Sequence, residues 1–171
     1  MSVRSRLMWA GLAVSLAFAL PGVARAQGSE GPPFGRNTGE MKFVTIPPLP
    51  TCAHGSVLSG DPSKGSFILY AKVSAGCSIP WHWHTSNENL MMVSGTAKVD
   101  VKDGNPITLK PGGFARMPSR HVHQFRCSVA CGFYIYGDAA FDIHYVDAGG
   151  KEIAAADALK PVKEAPATEM K

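Results

Sequence analysis

Apolar and polar residues alternate along this chain in short runs, and the runs are separated by turn residues rather than by helix caps. Strand-like stretches fall at residues 41–46, 67–73, 78–84, 88–93, 97–101, 106–109, 114–117, 122–127 and 132–136. Ser94-Gly95, Asp103-Gly104-Asn105 and Lys110-Pro111-Gly112-Gly113 supply turns between them. Successive side chains of a strand face opposite ways, so each run offers one row of residues to an interior. Many short strands with turn chemistry between them predict an all-β sandwich or barrel, and a single jelly-roll barrel is the natural closed form. The first run ends at Pro47-Pro48 and Pro50.

The ends of the chain read differently. Residues 1–26 carry Arg4 and Arg6, an apolar run from Leu7 to Leu20 and an Ala24-Arg25-Ala26 cleavage site, the pattern of a secretory signal peptide. Its apolar run is shorter than the roughly 20 residues of a membrane span. Cleavage there predicts a periplasmic or secreted protein with no membrane attachment. Arg4-Ser5-Arg6 is not a twin arginine, so export in an unfolded state is expected. Residues 27–40 are rich in Gly, Pro and Ser and read as a flexible leader. Residues 41–150 form the expected barrel. In the Ala-, Lys- and Pro-rich tail, residues 151–171, a short helix fits 152–160 and is stopped by Pro161 and Pro166.

Removing the signal changes the charge picture. Arg4, Arg6 and Arg25 go with it, leaving 14 of 17 basic residues against 13 acidic ones. A nearly neutral chain presents no basic face for nucleic acid. The remainder suits one domain with one core. Cys52, Cys77, Cys127 and Cys131 all survive cleavage, and an even number in an exported chain predicts two disulfides. Cys127 and Cys131 can clamp a tight hairpin, leaving Cys52 to reach Cys77; the other pairings, and a thiolate near a metal, remain open alternatives.

Candidate chemistry is concentrated between Gly76 and Gly95, where His82, His84 and Glu88 stand within seven residues. Two histidines two apart in a strand share a face, and a short turn brings Glu88 back toward them on the next strand. Imidazole and carboxylate together suit one divalent ion, Fe, Mn, Ni, Cu or Zn. Gly112, Pro118, His121 and His123 form a second cluster from which a fourth ligand can come. His121 shares the face of His123 if the strand is regular, as a ligand or as an acid or base beside the metal. By alternation Leu90 and Met92 share the face of Glu88, and Phe125 that of His123, so these three are expected to line a substrate pocket. Trp81 and Trp83 fall on the opposite face. Tyr134, Tyr136 and His144 are candidates for the barrel mouth, and His54 for a surface or packing position. No phosphate loop or nucleophile signature is present.

These two segments, G-x5-H-x-H-x3-E-x6-G and G-x5-P with His123 five residues beyond, resemble the paired motifs of the cupin superfamily. The first matches at every fixed position. The second has Arg120 where the family usually has glycine and Cys127 where it usually has asparagine. The resemblance covers roughly residues 41–147 and implies a jelly-roll barrel in which His82, His84, Glu88 and His123 hold the metal. It also implies a homodimer formed through the sheets. For function it implies metal-dependent chemistry on a small oxygen-rich molecule, most of all a dioxygenase similar to the quercetinase-type cupins, with Glu88 able to act as base. Decarboxylases, isomerases and regulatory, non-catalytic cupins share the fold, so a binding or sensing module is the alternative.

Overall fold

The computed structural model describes residues 34–160, so the expected signal peptide, the first part of the expected leader and the end of the tail lie outside the described residues. The fold below begins at Arg36. Eleven strands follow in chain order: β1 Val44–Thr45, β2 Ala53–Gly60, β3 Phe67–Val73, β4 Ser78–Trp83, β5 Glu88–Ser94, β6 Ala97–Val101, β7 Ile107–Leu109, β8 Phe114–Met117, β9 His123–Cys127, β10 Cys131–Gly137 and β11 His144–Tyr145. They form a six-stranded sheet in the order β1-β2-β3-β10-β5-β8 and a five-stranded sheet in the order β11-β4-β9-β6-β7. Every pairing is antiparallel. The all-β jelly-roll expectation holds.

Alternation explains the interior. Phe67, Leu69 and Ala71 on β3, Leu90 and Met92 on β5, Phe125 on β9 and Phe133 and Ile135 on β10 are buried in one core. Gly95 closes the β5–β6 turn with a φ of 79°, and a Cβ there would strike the Ala130 carbonyl. Gly112 turns the chain into β8 with a φ of 82°. Both conformations favour residues without a Cβ.

Several local expectations are corrected. The first strand is two residues long, and the end of the leader is a 3-10 turn, Thr38–Glu40, held by the Asn37 N–H donating to the Glu40 carboxylate at 2.6 Å. β2 was not expected. Its sequence, Ala-His-Gly-Ser-Val-Leu-Ser-Gly, has little β-branched or apolar alternation, and pairing with β3 over most of its length supplies what propensity does not. The helix is a single turn, α1 Ala155–Ala158, because Ala154 offers no side-chain cap and Glu152 is engaged in a bridge with Val146 instead.

Cys52 is joined to Cys77 and Cys127 to Cys131. The first bond closes a loop across 25 residues, tying the start of β2 to the start of β4, and is worth about 3 kcal/mol by loop entropy. With all four sulfurs paired, no thiolate is left for a metal.

Candidate metal centre

The site begins with an irregularity in β4. Ile79 pairs with Phe125 and His82 with His123, so three steps on β4 match two on β9. The extra residue is a bulge at Pro80-Trp81, a place where proline, lacking an N–H, is tolerated. The bulge resets the alternation, so both Ile79 and His82 reach the interior although they are three positions apart. His84 then follows on the same face. Glu88 opens β5 after a short turn, and His123 opens β9 directly opposite His82.

The three histidines are buried, and their ligand atoms lie within 4.8 Å of one another. His82 and His123 are 4.3 Å apart between ring centroids, and His82 and His84 are 4.9 Å apart. Glu88 Oε2 stands 3.7 Å from His84 Nε2 and 3.6 Å from His123 Nε2. Thus the four residues expected as ligands are brought together.

Each ring is turned the same way. His82 Nδ1 donates to the Pro80 carbonyl at 2.6 Å, His123 Nδ1 to the His121 carbonyl at 2.9 Å, and His84 Nδ1 to the Asp142 carbonyl. A carbonyl only accepts, so each Nδ1 carries a proton, which leaves Nε2 of each ring as the nitrogen able to ligate. Among the described residues, His84 Nε2 is the one buried side-chain polar atom with no hydrogen-bond partner. A buried acceptor left bare costs on the order of 1–3 kcal/mol. A divalent cation accepting these lone pairs, with Glu88 as the anionic ligand, removes that cost, so the donor set fits a metal.

The electrostatics agree. Burial, reinforced by the neighbouring His123 and His84, pushes His82 well below 6.5, which keeps its ring neutral and able to ligate. Burial alone would raise the Glu88 carboxyl, but positive charge at the facing His84 and His123 positions reverses this and holds it at about 2, a charge that a bound cation would supply with the rings neutral. Glu88 is therefore ionised at neutral pH.

The imidazoles and Glu88 lie in the wall of a cavity of about 110 Å³ between the two sheets. Leu90 and Phe125 line it as expected; Met92 does not, although it is buried on the same face. Two residues further along β5 is about 7 Å, and the cavity stops short of it. His121 is a larger departure. It is exposed, outside the cavity, and meets the site only through its carbonyl, because the turn before β9 breaks the alternation on which its expected position depended. That turn contains Arg120 at a φ of 60°, the left-handed region that glycine usually fills, with its N–H donating to the His84 carbonyl at 2.8 Å. Cys127 is committed to its disulfide.

Tyr134 and Tyr136 do not reach the cavity: Tyr134 packs edge-on against Tyr70, and Tyr136 is exposed. His144 lies outside it too, stacked 3.9 Å from Trp83 between Asp142 and Glu152. His54, expected at the surface or in packing, contributes to the cavity wall. Sequence reasoning passed over Phe141 and Asp142. Phe141 lines the cavity 5.4 Å from the His84 ring, and Asp142 supplies the carbonyl for His84 while its carboxylate accepts from the Thr85 N–H at 2.8 Å. Both sit in an irregular segment with no periodicity to mark them.

Comparison with known proteins gives the same architecture. The family model of the cupin domain matches residues 69–130. An acetylacetone dioxygenase from Acinetobacter johnsonii is similar in structure, with 18% identity, 75% of this chain and 87% of that one covered, and a TM-score of 0.57. So are a polyketide cyclase from Streptomyces resistomycificus (16% identity, 67% and 85% covered, TM-score 0.57) and an RmlC-like cupin from Shewanella frigidimarina (16%, 61% and 89%, 0.53). No curated protein sequence matches the chain. At these identities the likeness is one of fold.

Proposed function

We propose that this chain, whose residues 69–130 match the cupin-domain family model, is an exported metalloenzyme in which His82, His84, Glu88 and His123 hold one divalent ion beside a cavity for a small molecule bearing oxygen donors. The carrying observation is the buried, partnerless Nε2 of His84 at the meeting point of three rings whose other nitrogens are already bonded. Such an ion supplies a Lewis acid and, if it is iron, manganese, nickel or copper, redox chemistry of the dioxygenase kind. The residues supply the rest. The three carbonyl bonds hold the rings in place. The apolar wall excludes water, and Glu88 acts as the base for a substrate proton on leaving the ion. Export is supported by the leader pattern of residues 1–26 and by two disulfides, which persist in oxidising compartments. Ile68, Met91, Phe114 and Tyr136 are exposed on the outer face of the six-stranded sheet, and a second copy of the chain is the proposed cover.

One observation favours the alternative of a binding or sensing barrel. With His121 outside the cavity, the wall holds no acid or base beyond the histidines and Glu88. The deciding experiment is oxygen uptake by protein loaded in turn with each candidate ion, over a panel of small ketones, diketones and enols. Turnover with one redox-active ion is expected; tight ligand binding with no turnover by any ion establishes the sensing reading instead.

A further inference from the structure

Resting on the metal reading above, we infer that the ligand of this site is a small molecule whose oxygen donors are confined to one end and whose other end is hydrocarbon. The argument is one of lining and volume. The polar side chains of the metal centre sit together, their ligand atoms within a few ångströms of one another, and the rest of the wall is apolar, with Leu49, Val57, Leu69, Phe133, Ile135 and Phe141 among its residues. No Lys, Arg, Ser, Thr, Asn, Gln or Asp lines the cavity among the described residues. His54, the remaining polar residue of the wall, also borders a separate outer depression with Tyr70 and Lys72, so it is not a group sealed into the apolar end.

A hydroxyl placed against that apolar wall loses its bonds to water and gains none, a cost of a few kcal/mol. Sugars, polyols and flavonols carry such hydroxyls all round and are disfavoured. A charged head group is acceptable only at the metal end, where the ion supplies the balancing charge. Volume sets a second limit. An apolar cavity of about 150 Å³ in another protein accommodates benzene. The 110 Å³ here therefore encloses a group of that order, and a flavonol would leave most of itself outside. Within the class of small, oxygen-bearing molecules proposed above, this narrows the ligand to a small, one-ended amphiphile.

The test uses two isosteres with the same bidentate head, 1-hydroxybutan-2-one and dihydroxyacetone, which differ only in a methyl or a hydroxyl at the far end. Quercetin is the oversized probe. Each is titrated into cobalt(II)-loaded protein and followed by the visible cobalt spectrum and by calorimetry. The methyl compound is expected to bind at least about tenfold more tightly than the hydroxyl one, since apolar pockets separate such pairs by up to about a hundredfold. Quercetin is expected to leave the spectrum unchanged. Ile135→Phe, which adds bulk to the cavity wall without altering a ligand, should abolish the binding while keeping one cobalt per chain. Equal affinity for the two isosteres, or tight binding of quercetin, overturns the inference even if the variant fails to fold. If cobalt does not bind stoichiometrically, the metal reading fails separately. The same isostere pair on metal-free protein, read by ligand-observed NMR, then still decides the nature of the cavity.

Discussion

His82 and His123 are oriented by their own strands, each through the carbonyl two residues upstream, whereas His84 is oriented by Asp142, 58 residues away. In the first two cases the support folds with the ligand: the bulge at Pro80 and the turn ending at His121 exist as soon as β4 and β9 pair. In the third, the support comes from the segment after β10, whose Phe141 lines the cavity and packs on Phe67, 6.0 Å between rings. The difference teaches where the site is pre-formed and where it is assembled. Two ligands are oriented from within the sheet that carries them, and one is oriented by a strap, the segment after β10, that also lines the cavity.

The strongest way to break this comparison is to remove ligands. His82→Ala, His84→Ala and His123→Ala are each expected to lose stoichiometric metal by mass spectrometry while keeping the native far-UV circular dichroism spectrum; full metal retention by any of them removes that residue from the set.

A smaller effect separates the remote support from the local ones. Asp142→Ala deletes the carboxylate that ties the strap to Thr85 and His144 without touching a ligand. It should weaken zinc about tenfold in chelator competition, the lower end of the range for second-layer changes. Asp100→Ala, which removes the partner of Gln124 beside the locally supported His123, should change affinity less than about twofold.

Next comes the contact between the two motifs. Arg120 holds a φ of 60° with its guanidinium 5.0 Å from the Trp83 ring. Arg120→Val should cost about 1–2 kcal/mol, because a β-branched residue is poorly tolerated there. Arg120→Gly should stay within about 1 kcal/mol, its conformational relief offset by the lost cation–π contact and a more flexible unfolded chain. Urea midpoints measure both.

The smallest effect is a pH dependence at the strap. Burial lowers His144, but hydrogen bonds to Glu152 and Asp142 more than offset it, so its folded value lies above 6.5. The folded protein then holds this proton more tightly than the unfolded one. The resulting stability is fully present below 6.5 and is lost as pH rises through the folded value. His144→Gln should therefore lower Tm at mildly acidic pH and leave it nearly unchanged in alkali, as differential scanning calorimetry would show.

How much of this was legible in the sequence follows from the same division. His82, His84, Glu88 and His123 could be singled out because each lies in a short segment whose glycines and proline fix the turn around it. Asp142 and Phe141 could not, since their roles depend on contacts across the chain. The barrel was readable from β3, β5 and β10, where alternation is regular, and β2 was missed because Gly55, Ser56 and Ser59 hide its period. His121 was misplaced because alternation was extended through a turn that Arg120 bends back. Met92 was correctly put on the inner face, but a face does not tell how far a cavity extends.

X-ray absorption at the zinc edge of reconstituted protein tests the central claim most directly. Three imidazoles and one carboxylate oxygen per ion, falling to two imidazoles in His84→Ala if enough metal is retained to measure, is the expected result. A sulfur shell, or fewer than three imidazoles in the unaltered protein, would contradict it.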